Sequence, residues 1–179
     1  MDEHKDAIAA WYDEYSVSIF RYIYKIIQNA HVAEDLTQDT FMKAYDFLSK
    51  NSANVNYPKT FLYRTGHNLT IDYLRKQKPL QYLITQYINQ TSCKLNIEDI
   101  VEIKAESKSI YEELAKLKLP YRQVLILRKV ERFSTRETAE ILNWTESKVK
   151  STLQRALLKL EENLIKGGII NEPISQQSR

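Results

Sequence analysis

Apolar residues recur at intervals of three and four along most of the chain, the spacing of helices that each bury one face. No stretch alternates in the manner of a strand strongly enough to compete. The first run is Ile8, Trp11, Tyr12, Tyr15, Ile19, Tyr22, Ile23, Ile26 and Ile27, ending near Asn29. A second starts near His31 and carries Ala33, Leu36, Thr37, Thr40, Phe41, Ala44, Phe47 and Leu48. The polar stretch from Ser49 to Lys59, rich in Asn and Ser, breaks helix. Helix resumes at Thr60 through Phe61, Leu62, Leu69, Ile71 and Leu74 to a basic end, Arg75 to Lys78, where Pro79 is predicted to stop it. Between residues 80 and 106 the periodicity weakens. Tyr82 to Ile88 can form a short helix, but the acidic and amide-rich rest has little apolar periodicity, and the segment as a whole reads as a tether of roughly 25 residues. Helical spacing returns over Ser107 to Leu117 and, after Leu119-Pro120, over Tyr121 to Val130. Residues from Gly167 onward are predicted to be a frayed tail. The expected fold is all-α, with two small helical domains joined by a flexible tether.

The stretch from Ser134 to Leu160 carries the clearest local signal. Ser134 can cap a helix with Glu137, three residues on, as its capping-box partner. Ala139 is small where two helices must approach, Asn143 tolerates a left-handed turn, and Thr145 can cap the next helix. From there Val149, Leu153, Leu157 and Leu160 are expected on one face, with Lys148, Lys150, Ser151, Gln154 and Arg155 around the rest. A basic outer face on an isolated amphipathic helix needs only solvent to explain it. The turn and small-residue spacing before it favour a helix-turn-helix whose second helix enters a DNA groove.

Composition changes this picture only where it is uneven. The chain has 179 residues, with 43% hydrophobic, 27% charged, and few Gly or Pro, as suits a globular helical protein. A net charge of +3 does not by itself mark a nucleic-acid binder. Its distribution does more. Residues 1–78 balance ten basic against ten acidic side chains, residues 79–106 are net acidic, and residues 107–179 hold fourteen basic against nine acidic. The electrostatic footprint is therefore confined to the C-terminal module. Cys93 is alone, and His4, His31 and His67 have no metal-ligand spacing with it, so neither a disulfide nor a metal or other cofactor is expected. The start, MDEHKD, lacks the apolar core of a secretory signal, and no apolar run is long enough to span a bilayer. A cytoplasmic protein without membrane insertion is expected. No nucleophile beside a base, carboxylate pair in a credible cleft or phosphate loop suggests an enzyme.

Taken together, the two halves resemble the extracytoplasmic-function (ECF) group of bacterial sigma factors, in the sigma-70 family. The stretch LPYRQVLILRKVERFSTRETAEILNWTESKVKSTLQRALLKL is similar to that family's region 4. AEDLTQDTFMKAY and TFLYRTGHNLTIDYLRK are similar to its region 2. The resemblance implies a region 2 bundle over residues 1–78, an acidic linker over 79–106, a region 4 helix-turn-helix over 107–166 and a tail over 167–179. It implies a non-catalytic protein that binds core RNA polymerase, directs it to promoters and helps open the duplex.

The resemblance also assigns roles to residues. Asp35, Gln38 and Asp39 match the positions that dock on polymerase, with Asp39 standing where relatives commonly carry Glu. For the −10 element it implies Arg64, Asn68, His67, Tyr57, Phe61, Arg75 and Lys76. Among these Arg64 and Asn68 are the foremost candidates, and Phe61, like Leu62 and Leu69, suits a core position better than a DNA contact. Phe61 replaces a usual Trp, and Thr65-Gly66 a usual Ile-Ala, a departure that suggests a locally adapted base pocket. Asn51 to Asn56 matches the base-capturing loop in position, not in residue identity. For the −35 element it implies Lys148, Lys150, Ser151, Gln154 and Arg155. Gln pairs bidentately with adenine and Lys reaches guanine acceptors, whereas Lys148 and Arg155 suit phosphates. Thr152 stands where relatives often carry Arg, and Arg122, Arg128 and Lys129 are further phosphate candidates or simply solvated. The acidic linker is compatible with threading through polymerase channels, and equally with a plain solvated tether. The expected partners are core RNA polymerase, promoter DNA and an anti-sigma factor, often membrane-anchored in the family. A stand-alone helix-turn-helix repressor or activator is the alternative, but it leaves the acidic helix and the basic helix from Thr60 to Lys76 without a purpose.

Overall fold

The computed structural model describes residues 3–50, 55–85 and 105–170, with side-chain surroundings described for 4–50, 55–77 and 110–170. Every regular element among them is helical: α1 (Glu3–Ile27), α2 (Ala30–Lys50), α3 (Pro58–Thr85), α4 (Ala105–Lys116), α5 (Leu119–Leu125), α6 (Thr135–Leu142) and α7 (Glu146–Lys166). The chain divides into two compact units, the first holding α1 to α3 and the second most of α4 to α7.

In the first unit α1 packs on both α2 and α3, and α2 on α3. Ile19, Tyr22 and Ile23 of α1 meet Ala33, Phe41 and Ala44 of α2 and Leu62 and Tyr63 of α3 in the core. Thr37, Thr40 and Thr70 are buried there without loss of hydrogen bonding. The hydroxyls of Thr37, Thr40 and Thr70 donate to the carbonyls of Ala33, Leu36 and Gly66, at 2.6, 2.7 and 2.7 Å. Each back-bond within the helix leaves the methyl group for packing. Gly66 faces this core. A Cβ there would stand 3.1 Å from Thr40 Oγ1 and 3.5 Å from Ile23 Cδ1, so its absence lets α3 approach its neighbours. Gly66 thus serves helix packing, not the base pocket expected from its departure from the family pattern. Between α1 and α2 the chain reverses through Gln28, whose φ is 59°, and Asn29 Oδ1 accepts the Val32 N–H at 3.1 Å to cap α2.

Pro58 opens α3, where its missing N–H has no helical partner to lose. The expected stop at Pro79 is not observed, and α3 continues to Thr85. A proline removes one i→i−4 bond, and Leu80, Leu83 and Ile84 beyond it keep helical spacing, so the helix absorbs the break. The remainder of the expected tether, residues 86–104, lies outside the described residues.

In the second unit α5 is central. Val124, Leu125, Ile126 and Leu127 are all buried, which one helical face cannot achieve, so the segment is enclosed on several sides. A π-helical turn over Ile126–Val130 continues it, with Glu131 N–H donating to Ile126 O at 2.9 Å. Arg122 donates to the carbonyls of Ala115 and Leu117, closing α4, and Arg128 to that of Phe133. Both arginines are thus committed to the fold, while Lys129 is exposed. The predicted capping box is present: Ser134 N–H donates to Glu137 Oε2 at 2.8 Å and Glu137 N–H to Ser134 Oγ at 3.2 Å. At the other end α7 does not fray at Gly167. Gly168 adopts φ 67°, and the N–H groups of Gly168 and Ile169 donate to the carbonyls of Ile165 and Leu164. This is the Schellman closure, with Ile169 brought back towards buried Leu164.

Because the box satisfies two N–H groups at the start of α6, Ser134→Ala is expected to destabilise the second unit by about 1 kcal/mol. Urea titration in a Trp11→Phe background, where Trp144 is the remaining tryptophan, measures it by fluorescence. An unchanged midpoint would show that water replaces the cap without cost.

Candidate nucleic-acid interface

Three surfaces carry the expected functional residues, and the helices sort them. On α2, Ala33, Leu36, Thr37, Thr40 and Phe41 turn inward, which leaves Glu34, Asp35, Gln38 and Asp39 exposed on the opposite side. Asp35 and Asp39 are one turn apart, so both carboxylates face the same way. Gln38 also lines a cavity of about 620 Å³ between α1 and α2, shared with Ile8, Tyr12, Phe41 and Met42. Met42 is 64% exposed, so the acidic face passes directly into an apolar one.

On α3 the expected −10 residues separate into two groups. Arg64, Asn68, Arg75 and Lys76 are exposed; Arg64 and Asn68 are one turn apart, Arg75 lies two turns beyond Asn68, and Lys76 flanks it. Asp72 lies between Asn68 and Arg75 and pairs with Arg75 at 3.4 Å, which puts a carboxylate among the cations. Tyr57, just before the helix, is 76% exposed. His67, by contrast, is a core residue and not part of this surface. It shares the inward face with Tyr63, Gly66 and Thr70, and its Nδ1 lies 2.9 Å from Tyr22 Oη. Burial lowers its pKa from 6.5 to about 4, so the ring is neutral near pH 7. Phe61 is half-buried, and its ring is taken up by Phe47 at 5.1 Å and by Trp11, edge-on, at 6.5 Å. Trp11 was not among the sequence candidates, although its place on the apolar face of α1 is the signal for it. Residues 51–54 of the expected base-capturing loop lie outside the described residues, and Asn56 is exposed.

On α7 the cap is the predicted one. Thr145 Oγ1 accepts the Lys148 N–H at 3.2 Å, following a turn in which Asn143 has φ 54°. Lys148, Lys150, Gln154 and Arg155 are exposed, and half-buried Ser151 donates its hydroxyl to Lys148 O at 3.2 Å. The buried face differs from the expected one. It consists of Val149, Thr152, Ala156 and Leu164, while Leu157 and Leu158 are 38% and 55% exposed. Steps of four residues advance about 40° around a helix, so by the second such step Leu157 has rotated out of the contact with α5. Thr152, standing where an arginine was expected in relatives, points into the packing. Arg132 and Arg136, which are not among the sequence candidates, are exposed near the start of α6. Their place at the entry of the first helix of the motif is the clue.

A bundle with an acidic face and a basic helix, followed by a capped helix-turn-helix with a polar, cationic second helix, defines a two-domain protein built to read DNA. The Sigma-70 region 2 model matches residues 11–79, and the Sigma-70, region 4 model matches residues 107–160. RNA polymerase sigma factor YlaC of Bacillus subtilis is 34% identical over 167 residues, covering 92% of this chain and 95% of that protein. ECF RNA polymerase sigma factor SigW of the same organism is 33% identical over 169 residues, covering 89% and 90%. The sigma factor RpoE of Bartonella quintana, solved in complex with the anti-sigma factor NepR, superimposes with a TM-score of 0.67 at 22% identity, covering 92% of this chain and 98% of that one. This chain belongs to the sigma-70 family, in its extracytoplasmic-function group. Among the described residues no helix is long and apolar enough to cross a membrane.

Proposed function

We propose that this protein is a non-catalytic promoter-specificity subunit that binds core RNA polymerase through α2, engages the −10 region through α3 and reads the −35 element through α7. The observation that carries it is the exposed set Lys150, Gln154 and Arg155 on a helix whose opposite side, Val149, Thr152 and Ala156, locks it into the helix-turn-helix. The polar groups are therefore held at fixed spacing on one exposed side of α7, the requirement for direct readout. At the −10 region Arg64, Asn68, Arg75, Lys76 and Tyr57 form the contact set, and His67 and Phe61 stand behind it as support. Arg132 and Arg136 join Lys148 and Arg155 as phosphate contacts. The exposed Asp35, Gln38 and Asp39, continuous with the apolar cavity at Met42, suit a partner that presents basic and apolar side chains together. An anti-sigma factor completes the partner set, a reading supported by structural neighbours such as CnrH, solved with the cytosolic domain of CnrY.

Reconstitution with purified core polymerase tests the reading. Transcripts starting downstream of a shared upstream motif are expected from a genomic library. Tight sequence-specific binding by the protein alone, with no promoter-dependent product, would instead mark a stand-alone regulator. Asp35→Arg combined with Gln38→Ala is expected to weaken core binding at least tenfold in a pull-down titration, because an exposed carboxylate becomes a cation facing a basic partner. Unchanged core affinity would remove α2 from the docking surface.

A further inference from the structure

At the join of α6 and α7, the Lys148 ammonium lies 4.2 Å from the centre of the Trp144 ring, within cation–π range. Both partners are anchored through the backbone. Trp144 donates its N–H to Ala139 O at 2.9 Å, and Lys148 donates its own to the Thr145 cap at 3.2 Å. Trp144 is half-buried, whereas Lys148 is exposed, so the ring is the more confined partner and the cation faces solvent. Helix stability does not account for a lysine here. It occupies the first turn of α7, where the helix dipole opposes positive charge, and Glu146 in the same turn is the residue the dipole favours. Lys148 instead lies on one stripe with Ser151 and Arg155, and Lys148 and Arg155 are the two residues of α7 expected to meet DNA phosphates. A free lysine arm must surrender much of its rotamer freedom to hold a phosphate, and an arm already resting on a ring has surrendered part of it.

We infer that Trp144 is a positioning residue for promoter binding: its indole holds the Lys148 ammonium in place for a phosphate beside the upstream element. The inference rests on α7 being the DNA-facing helix. Trp144 needs no contact with a base, because it acts through Lys148.

The test uses the full-length chain assembled with core polymerase. The probe is a fluorescent duplex bearing an upstream element that the wild-type holoenzyme has selected from a randomised pool, and affinity is measured across a salt series. Lys148→Gln is expected to reduce the steepness of the salt dependence by about one. Trp144→Leu is expected to weaken binding about two- to fivefold, and Trp144→Phe by less, since phenylalanine keeps an aromatic face. In the Lys148→Gln background, both Trp144 substitutions are expected to change nothing further. An equal loss in that background would show that Trp144 acts by packing alone and overturn the inference, as would a silent Trp144→Leu in the wild-type background. Should the leucine variant unfold the motif, Trp144→Phe carries the same test, because its smaller loss must also vanish without Lys148. If Lys148→Gln leaves the salt dependence intact, or the wild type selects no upstream element, the DNA-facing reading of this stripe fails and the inference with it. If Lys148→Gln acts and Trp144→Leu does not, only the role of Trp144 fails.

Discussion

Lowering the pH from 7 to 4 is expected to cost the first unit about 3 kcal/mol of stability through His67 alone. The ring is enclosed by the three-helix core with Tyr22 Oη on its Nδ1, and burial holds its pKa near 4 against 6.5 for a free imidazole. Above pH 6.5 the ring is neutral whether the chain is folded or not, and the contribution is complete. Between 6.5 and 4 the unfolded chain takes up a proton that the folded chain refuses, so stability falls through that window and levels off below it. Carboxylates elsewhere titrate in the same range, so the measurement is a difference. In a Trp144→Phe background Trp11, packed on Phe61, reports the first unit alone. Urea unfolding of that protein at pH 7, 5.5 and 4 gives the slope, and His67→Gln, which keeps a hydrogen-bonding group near Tyr22, is expected to flatten it. An identical pH dependence in the glutamine variant would show that His67 is not the group that titrates.

How far the chain could be read in advance follows from the range of the forces involved. Caps act over three or four residues, and so Ser134 with Glu137, Asn143 and Thr145 all take the roles their spacing implied. The alternation of buried and exposed positions on α2 was equally local, which is why Asp35, Gln38 and Asp39 emerge on the outside. What failed depends on neighbours beyond one helical turn. His67 had the look of a polar DNA contact, because nothing within α3 says that Tyr22, 45 residues earlier, waits to bond it. Gly66 suggested a pocket for a base until Thr40 appeared against it. Arg122 and Arg128 read as free cations, yet both are used on carbonyls left unpaired where a helix or turn ends. On α7 the count of leucines pointed to a face that packing on α5 rotates away from Leu157. Conversely, Pro79 does not stop α3 as its residue type implied, since one missing hydrogen bond does not end a helix whose apolar spacing continues.

Gln154→Ala is expected to reorder the upstream elements that the holoenzyme prefers, whereas Arg155→Ala lowers its affinity for all of them. The two residues are neighbours in sequence but project about 100° apart around α7. Gln154 follows Lys150 on one stripe, and Arg155 follows Lys148 and Ser151 on the next. A glutamine amide offers one donor and one acceptor at the spacing of an adenine edge, so its loss is felt only where an adenine was read. Such a pair discriminates by about 1–3 kcal/mol, or roughly tenfold to a hundredfold between the best and next-best elements. A guanidinium on phosphate meets the same charge in every sequence, and its removal is expected to cut the salt dependence by about one without altering the order. Lys150→Ala is expected to behave as Gln154→Ala does, with the change falling at a guanine. Selection from a randomised upstream library by each reconstituted variant, at two salt concentrations, separates these outcomes. A Gln154→Ala holoenzyme that keeps the wild-type ranking would move base reading off this stripe. The residues left to carry it would then be those of the Lys148, Ser151 and Arg155 stripe, and Arg155→Ala would be the variant that reorders the library.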